Sequence, residues 1–163
     1  MINGIHAIVA CDDFGGISKD GVMPWPKNPA DMAHFKQHTI GQIVIMGSKT
    51  WHDKQMPSPL PNRCNIVITS QELEGPELTI FGKLHEKIPE IPFNQVLTEK
   101  WIIGGAQIIE QCLPIIDEFY LTRIPGHYNC DTFIPLDEIG LRFKLADEHW
   151  VGQTNFQRLI KRW

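Results

Sequence analysis

A single carboxylate at the start of a predicted helix is the most informative chemical group in this sequence. Asp31 falls in the first turn of a helix that Asn28 can cap and Pro29 can begin. A carboxylate in that position often does no more than satisfy backbone amides and the helix dipole. Its neighbours favour a second interpretation, because Trp25 precedes the helix and Phe35 lies one turn later on the same face. Desolvation among aromatic groups would raise the pKa of this acid and suit it to an amidine-like ligand.

The same helix carries a second pattern, which is similar to a metal-ligand spacing. Asp31, His34 and His38 fall on one predicted face. The run lacks the glutamate of the H-E-x-x-H motif, and no third strong ligand motif accompanies it. We therefore expect surface histidines here and no metal site.

Two strand-to-helix junctions could hold the oxygens of a phosphate group. One is the stretch Gly47-Ser48-Lys49-Thr50, and the other is the Gly104-Gly105 turn. Glycine lets a phosphate approach backbone amides at the start of a helix. Neither junction has the P-loop or G-x-G-x-x-G pattern, which argues against nucleoside triphosphate hydrolysis and against a standard Rossmann fingerprint. A plain tight turn is the alternative explanation of the glycine pair.

Arg63 follows a stiff, proline-rich segment, residues 57–62. An arginine in such a place is usually just solvated. If it is held rigidly beside a cleft, its planar guanidinium can bind a carboxylate through two hydrogen bonds. Together these features describe a cleft with one buried acid, two phosphate sites and one carboxylate clamp.

The elements that must position these groups alternate between strands and helices. Strands are predicted over 2–10, 43–47, 65–69, 78–81 and 101–103, and helices over 28–39, 48–54, 83–88 and 106–113. The last third reads as strands over 118–124, 142–148 and 155–163 with no helix between them. The predicted fold class is α/β: a mostly parallel central sheet of about eight strands, an antiparallel C-terminal hairpin and about four flanking helices. The loops after residues 10, 47, 69 and 104 should then surround one cleft, because such sheets bind ligands at the carboxyl ends of their strands.

Composition favours one ordinary globular domain over residues 1–163. The chain is 42% hydrophobic and 21% charged, and it is long enough to bury a core. A net charge of −4 with scattered basic residues does not suggest binding to nucleic acid. The sequence shows no apolar stretch of membrane-spanning length and no export signal at its start. The four cysteines form no C-x-x-C pair, so we expect reduced thiols, a cytoplasmic location and, by default, a monomer.

The ordered set of motifs resembles dihydrofolate reductases nearly from end to end. The matching stretches are Ile5-x-Ala7, Gly16-Ile17, Met23-Pro24-Trp25, Pro29-Ala30-Asp31-Met32-x-x-Phe35-Lys36, Ile45-Met46-Gly47-x-x-Thr50-Trp51, Leu60-Pro61-x-Arg63-x-Asn65-Ile66-Val67, Ile103-Gly104-Gly105-Ala106, Tyr120-Leu121-Thr122 and Asp131-Thr132. The resemblance implies NADPH-dependent reduction of 7,8-dihydrofolate to tetrahydrofolate, with hydride transfer to C6 and protonation of N5. This reaction supplies one-carbon metabolism, and the resemblance also implies binding of antifolate inhibitors.

The resemblance further implies a role for each matching residue. The catalytic group would be Asp31, Trp25 and Met23, with Asp31 on the 2-amino and N3 edge of the pterin and Thr122 supporting it. The substrate-binding residues would be Ile5, Ala7, Asp31, Met32, Phe35, Leu60, Arg63 and Thr122. The cofactor-binding residues would be Ala7, Gly16, Ile17, Met23, Gly47, Ser48, Lys49, Thr50, Thr69, Ser70, Ile103, Gly104, Gly105, Ala106, Gln107, Ile108 and Ile109. The loop over 14–23, the closing loop, would cover the nicotinamide and exclude bulk water.

Departures from the family pattern lie on the cofactor side. Ser48 and Gln107 stand where family members commonly carry cations, and Ile109 stands where a tyrosine often lies beside the nicotinamide. The closing loop and the segment over 54–59 are both slightly longer than in typical bacterial members. We therefore expect altered rates or cofactor affinity, and a less secure preference for NADPH over NADH.

Two other classes of function stay open on the sequence. One is a non-catalytic protein that binds a pterin or a nucleotide, and the other is a reductase for another pteridine or a flavin precursor. The joint presence of Asp31, Trp25, Phe35, Arg63 and Thr122 argues against the first class. Arg63 argues against the second, because it fits a substrate with a glutamate tail.

Overall fold

The structure is a computed structural model of the chain, and it describes residues 4–69, 78–80 and 99–163. The strands are β1 (Ile5–Cys11), β2 (Gly16–Ser18), β3 (Ile43–Gly47), β4 (Cys64–Ile68), β5 (Leu78–Ile80), β6 (Lys100–Gly104), β7 (Glu118–Arg123), β8 (Thr132–Phe133), β9 (Phe143–Val151) and β10 (Thr154–Lys161). The helices are α1 (Pro29–Thr39), α2 (Ser48–Trp51), α3 (Ala106–Cys112) and α4 (Leu136–Arg142), with a 3₁₀ turn at Leu113–Ile115. The helix predicted over 83–88 lies outside the described residues.

The main sheet has eight strands in the order β5-β4-β3-β6-β1-β7-β10-β9. The pairs from β5 to β7 are parallel, and β10 pairs antiparallel with both β7 and β9. This topology confirms the predicted α/β class, the mostly parallel sheet and the antiparallel C-terminal hairpin. β2 and β8 pair separately as a small second sheet beside the closing loop.

Two apolar clusters cover the two faces of the main sheet, because successive side chains of a strand point to opposite faces. One cluster, the α3-side core, includes Ile45 and Phe119 from strands and Ile109 from α3. The other, the α1-side cluster, contains Ile8, Val44, Met46, Trp51, Leu60, Val67, Trp101 and Ile103, and Phe35 of α1 packs against it. The parallel strands therefore present buried residues on both faces, which explains their nearly continuous apolar runs.

The prediction that no helix interrupts the C-terminal strands was wrong. α4 lies between β8 and β9, and its ends carry the charges that a helix dipole favours: Asp137 and Glu138 in the first turn and Arg142 in the last. Glu138 and Arg142 also form an (i, i+4) ion pair at 3.1 Å. Gly140 lies inside this short helix and weakens the helical pattern, since glycine is a poor helix former.

All four cysteines are free thiols, and three of them are buried. Burial raises the pKa of Cys11 and of Cys112 to about 12, so both remain protonated core groups. Within the described ranges, no helix has the length and apolar character that a membrane crossing requires.

Candidate active site

Asp31 is placed by a cap that another residue supplies. Asn28 Oδ1 accepts a hydrogen bond from the backbone N–H of Asp31 at 3.1 Å, and Asn28 Nδ2 donates to Thr154 Oγ1 on β10 at 3.0 Å. The start of α1 is thereby capped and tied to the sheet. Because Asn28 makes the cap, the capping role considered for the Asp31 carboxylate does not explain that residue.

The Asp31 carboxyl is partly desolvated beside a buried hydroxyl. Burial raises the pKa of Asp31, and the Thr122 side chain on β7 lowers that pKa by a smaller amount. Thr122 Oγ1 is buried and has no hydrogen-bond partner other than Asp31 among the described residues. Buried polar groups are stabilised by hydrogen bonds, so this pair is suited to a polar ligand that completes its hydrogen bonds.

An apolar wall extends from Asp31 along α1. Phe35, one turn after Asp31, packs against the α1-side cluster, which includes the predicted site residues Leu60 and Ile103. Met32 lies on the same helix and is 50% exposed, so it can contact a ligand without rearrangement. A flat, mainly apolar molecule with one polar edge fits this combination of wall and acid.

Arg63 is fixed at the far end of this wall. Its Nε donates to the carbonyl of Pro61 at 2.9 Å, and its Nη1 donates to Thr39 Oγ1 at 3.0 Å. The guanidinium carbon lies 5.9 Å from the centroid of the Phe35 ring. Burial lowers the pKa of Arg63, although a guanidinium keeps its charge at neutral pH. The structure thus brings together Asp31, Phe35 and Arg63, three residues that the sequence singled out.

Asn65 holds the segment that carries Arg63, and sequence reasoning assigned it no role. Its Oδ1 accepts from Leu60 N at 2.9 Å, and its Nδ2 donates to the carbonyls of Leu60 and Arg63, each at 3.0 Å. The side chain of Asn65 is fully buried. The available signal was an asparagine directly before the apolar run Ile66-Val67-Ile68 of a buried strand, because a buried amide needs several partners.

The two glycine junctions meet at the carboxyl ends of β3 and β6. A Cβ on Gly47 would lie 3.0 Å from Ile108, and a Cβ on Gly104 would lie 3.2 Å from Thr50 Oγ1. Gly104 also has a φ of +136°, a conformation that other residues rarely adopt. α2 and α3 begin at these junctions without a side-chain cap, so backbone amides are available to a ligand. This cradle of small residues and amides fits a phosphate-bearing group.

Comparison with known proteins settles which family this geometry belongs to. A family model described as "Dihydrofolate reductase" matches residues 4–155. The chain belongs to the dihydrofolate reductase family. Its activity is therefore that of an oxidoreductase that reduces dihydrofolate to tetrahydrofolate with NADPH.

Individual relatives agree with this assignment. A dihydrofolate reductase of Mycobacterium leprae is 36% identical over 154 residues, covering 92% of this chain and 86% of the relative. A dihydrofolate reductase of Haemophilus influenzae is 41% identical over 128 residues, covering 78% of this chain and 76% of the relative. The solved structure of the Enterococcus faecalis enzyme, complexed with NADP(H) and RAB-propyl, superimposes with a TM-score of 0.85 at 25% identity. That superposition covers 100% of this chain and 99% of the other.

The predicted roles of Ile5 and Ala7 in lining the substrate pocket stay predictions. Both pack in the α3-side core. In β1, Ala10 is in register with Thr122 and Ile8 with Tyr120, so the even-numbered residues share the Thr122 face. Ile8, which the sequence assignment did not include, packs in the α1-side cluster together with Phe35 of α1.

The predicted cofactor residues fall into groups of different exposure. Lys49 and Gln107 are exposed, Ser48 and Thr50 are half-buried, and Thr69 is buried. Ile109 is fully buried and packs in the α3-side core. Ala106 and Ile108 are half-buried on α3. Ser70 lies outside the described residues.

The closing loop is fastened at its base and along one side. The Asp12 carboxylate accepts hydrogen bonds from the N–H groups of Phe14 and Gly16, both at 2.9 Å, and of Tyr128 at 3.1 Å. Burial alone would raise the pKa of Asp12, but these backbone bonds hold it below its usual value. Asp131 Oδ2 accepts from Asp20 N at 2.9 Å.

The predicted loop residues follow this framework. Gly16 and Ile17 belong to β2, which pairs with β8. Met23 is 41% exposed near the end of the loop. Trp25 is buried against Ile124 and Cys130, with Tyr128 alongside, and so anchors the end of the loop.

The histidines of α1 are not the surface residues that the sequence predicted. Both are half-buried against the sheet. The His34 ring lies 4.6 Å from the rings of His38 and Phe156, and the His38 ring lies 4.8 Å from that of Tyr120, all between centroids. Among the described residues, no three or more His, Cys, Asp or Glu side chains are grouped so that they could hold a metal ion.

Proposed function

We propose that the cleft at Asp31 is where this chain reduces 7,8-dihydrofolate, with Asp31 as the group that binds the pterin. The observation that carries the proposal is the partly desolvated Asp31 carboxyl, which lies beside the buried hydroxyl of Thr122 at a helix start that Asn28 caps. The 2-amino and N3 edge of a pterin offers adjacent N–H donors to a carboxylate, and charge-assisted hydrogen bonds of this kind are the strong ones.

The remaining substrate contacts follow from the apolar wall. Phe35, Ile8 and Ile103 would pack against the pterin and the aminobenzoyl ring, with Leu60 and Met32 at the edges. Arg63 would bind the glutamate carboxylate, since its side chain is already held by Pro61 and Thr39. A preformed cation costs less ordering entropy on binding than a free one does.

NADPH supplies the hydride when it is bound, and the protein supplies its position. The residues that would hold it are the backbone at Gly104 and Gly105, Thr50 and the buried Thr69, with Lys49 as the exposed cation. Ser48 and Gln107 add no charge, so we propose a weaker discrimination against NADH than a site with more cations would give.

Asp31 would also favour the protonated substrate. A carboxylate close to the pterin stabilises positive charge on the ring system, which helps the proton to reach N5. The closing loop would exclude bulk water and thereby strengthen this electrostatic effect.

The decisive test compares the wild-type chain with Asp31→Asn. Loss of reduced-nicotinamide absorbance is followed after mixing protein, NADPH and dihydrofolate, and the experiment is repeated with NADH. We expect turnover in the wild type and a fall of about a hundredfold or more in kcat/KM for Asp31→Asn, which keeps the shape but loses the charge. Absence of turnover in the wild type would refute the proposed function, and unchanged turnover in the variant would refute the role of Asp31.

We also propose that the enzyme is a cytoplasmic monomer that binds antifolates. The free thiols support a reducing compartment. Light scattering on the purified chain tests the monomer directly, because a dimer would double the mass.

A further inference from the structure

A hydrogen bond joins the closing loop to the segment that precedes β4. The backbone N–H of Met23 donates to the side-chain Oε1 of Gln55 at 3.0 Å. Met23 lies near the end of the loop that follows β1, whereas Gln55 lies between α2 and β4. The two residues are 32 positions apart, so the contact depends on the fold and not on local chain geometry.

This bond spans the crevice at the carboxyl edge of the sheet. In the strand order, β3 and β4 lie on one side of β6, and β1 and β7 lie on the other. The base of the closing loop is fastened on the β7 side, through Asp12 and Tyr128. The Met23–Gln55 bond therefore connects the two walls on either side of the Gly104-Gly105 turn, where an open α/β sheet binds its ligand.

Gln55 stands on a turn that is already rigid. Its own N–H donates to Asp53 Oδ1 at 2.8 Å, and Met56 N donates to the carbonyl of Asp53 at 3.2 Å. The side chain of Met56 packs against the α1-side cluster, and Ser58 Oγ donates to the carbonyl of Trp51. The turn is thus anchored against the protein interior, while the Gln55 side chain stays exposed.

We infer that Gln55 is a positioning residue that fastens the closing loop over the crevice and slows the exchange of ligands. The inference rests on the proposed function, which places substrate and cofactor beneath this loop. One exposed hydrogen bond shifts an opening equilibrium only modestly. A modest shift suits a loop that must open in every catalytic cycle.

Hydrogen exchange of the Met23 amide in the ligand-free chain tests the bond without any need for turnover. Gln55→Ala removes the acceptor, Gln55→Glu keeps an acceptor oxygen, and Gln111→Ala on the exposed side of α3 is the matched control. We expect exchange about two- to tenfold faster in Gln55→Ala and wild-type exchange in the other two variants. Unchanged exchange in Gln55→Ala, or equally fast exchange in Gln55→Glu, would overturn the inference.

The rate of NADPH release, measured by stopped-flow fluorescence, tests the consequence for ligand exchange. Release should accelerate in Gln55→Ala and return to the wild-type rate in Gln55→Glu. Faster amide exchange with unchanged release would overturn the role in ligand exchange. If the wild type did not reduce dihydrofolate, the proposed function would fail, while the amide measurement would still decide whether Gln55 fastens the loop.

Discussion

At the scale of single residues, the site depends on how two oxygen-bearing side chains share a buried space. Asp31 has its pKa raised by burial and lowered by Thr122 to a smaller extent. Burial and the hydroxyl thus shift the pKa of the acid in opposite directions, and the hydroxyl keeps the acid closer to its charged form. In the proposed site the charged form would bind the pterin edge, so Thr122 would act on the substrate through Asp31.

Thr122→Val tests whether Thr122 acts through Asp31, because valine keeps the shape of threonine and removes the hydroxyl. The pKa of Asp31 should rise further, so the acid limb of the kcat/KM profile should move to higher pH. KM for dihydrofolate should increase about three- to tenfold from the loss of one hydrogen bond to a charged group. Thr122→Ser retains the hydroxyl and should behave as the wild type does. An acid limb that stays in place in Thr122→Val would contradict the coupling.

At the scale of elements, the segment between α2 and β4 does more than connect them. It presents Gln55 to the closing loop and Arg63 to the apolar wall, and it is held by the buried amide of Asn65. If Arg63 binds the glutamate carboxylate as proposed, the stability of this segment bears directly on substrate binding.

Asn65→Leu should destabilise the fold and weaken binding at the glutamate end. Leucine fills a similar volume but leaves the polar groups of Leu60 and Arg63 without partners, at a cost of about 2–4 kcal/mol. Urea unfolding measures that loss. KM for dihydrofolate should rise, whereas a dihydropteridine without a glutamate tail should be affected much less. An equal rise for both substrates would show that Asn65 does not act through Arg63.

At the scale of the whole molecule, the spacing of apolar residues and the order of the motifs predicted the sheet. Parallel strands that are buried on both faces appear in the sequence as nearly continuous apolar runs. These patterns did not predict which face of the sheet each strand residue lies on, or what packs against each face of a helix. No local pattern indicated that strand register places Ile8 on the same face as Thr122. His34 looked like a solvated residue, yet β10 and β7 cover it. Both features depend on contacts between elements distant in sequence, which local pattern does not encode.

The covered histidines make the fold sensitive to acid. Burial, together with charge repulsion from His38 and His149, lowers the pKa of His34 to about 4, and burial likewise lowers the pKa of His38. Burial also lowers the pKa of His6 on β1, although the charges of Glu99 and Glu118 oppose that shift. Between the ordinary value of 6.5 and these lowered values, the unfolded chain binds protons that the folded chain does not.

The contribution of these histidines to the free energy of unfolding should therefore be fully present above about pH 6.5. It should fall as the pH drops toward 4, where His34 begins to titrate in the folded chain as well. Each such histidine contributes a slope of at most about 1.4 kcal/mol per pH unit. Asp31 acts in the opposite direction, because its raised pKa lets the folded chain take up a proton first.

Urea midpoints at pH 7.5 and 5 measure the net effect. His34→Gln should lose less stability between these pH values than the wild type, whereas His52→Gln, at an exposed position, should lose as much as the wild type. Equal losses in all three proteins would show that the histidines of α1 do not set the acid limit of the fold.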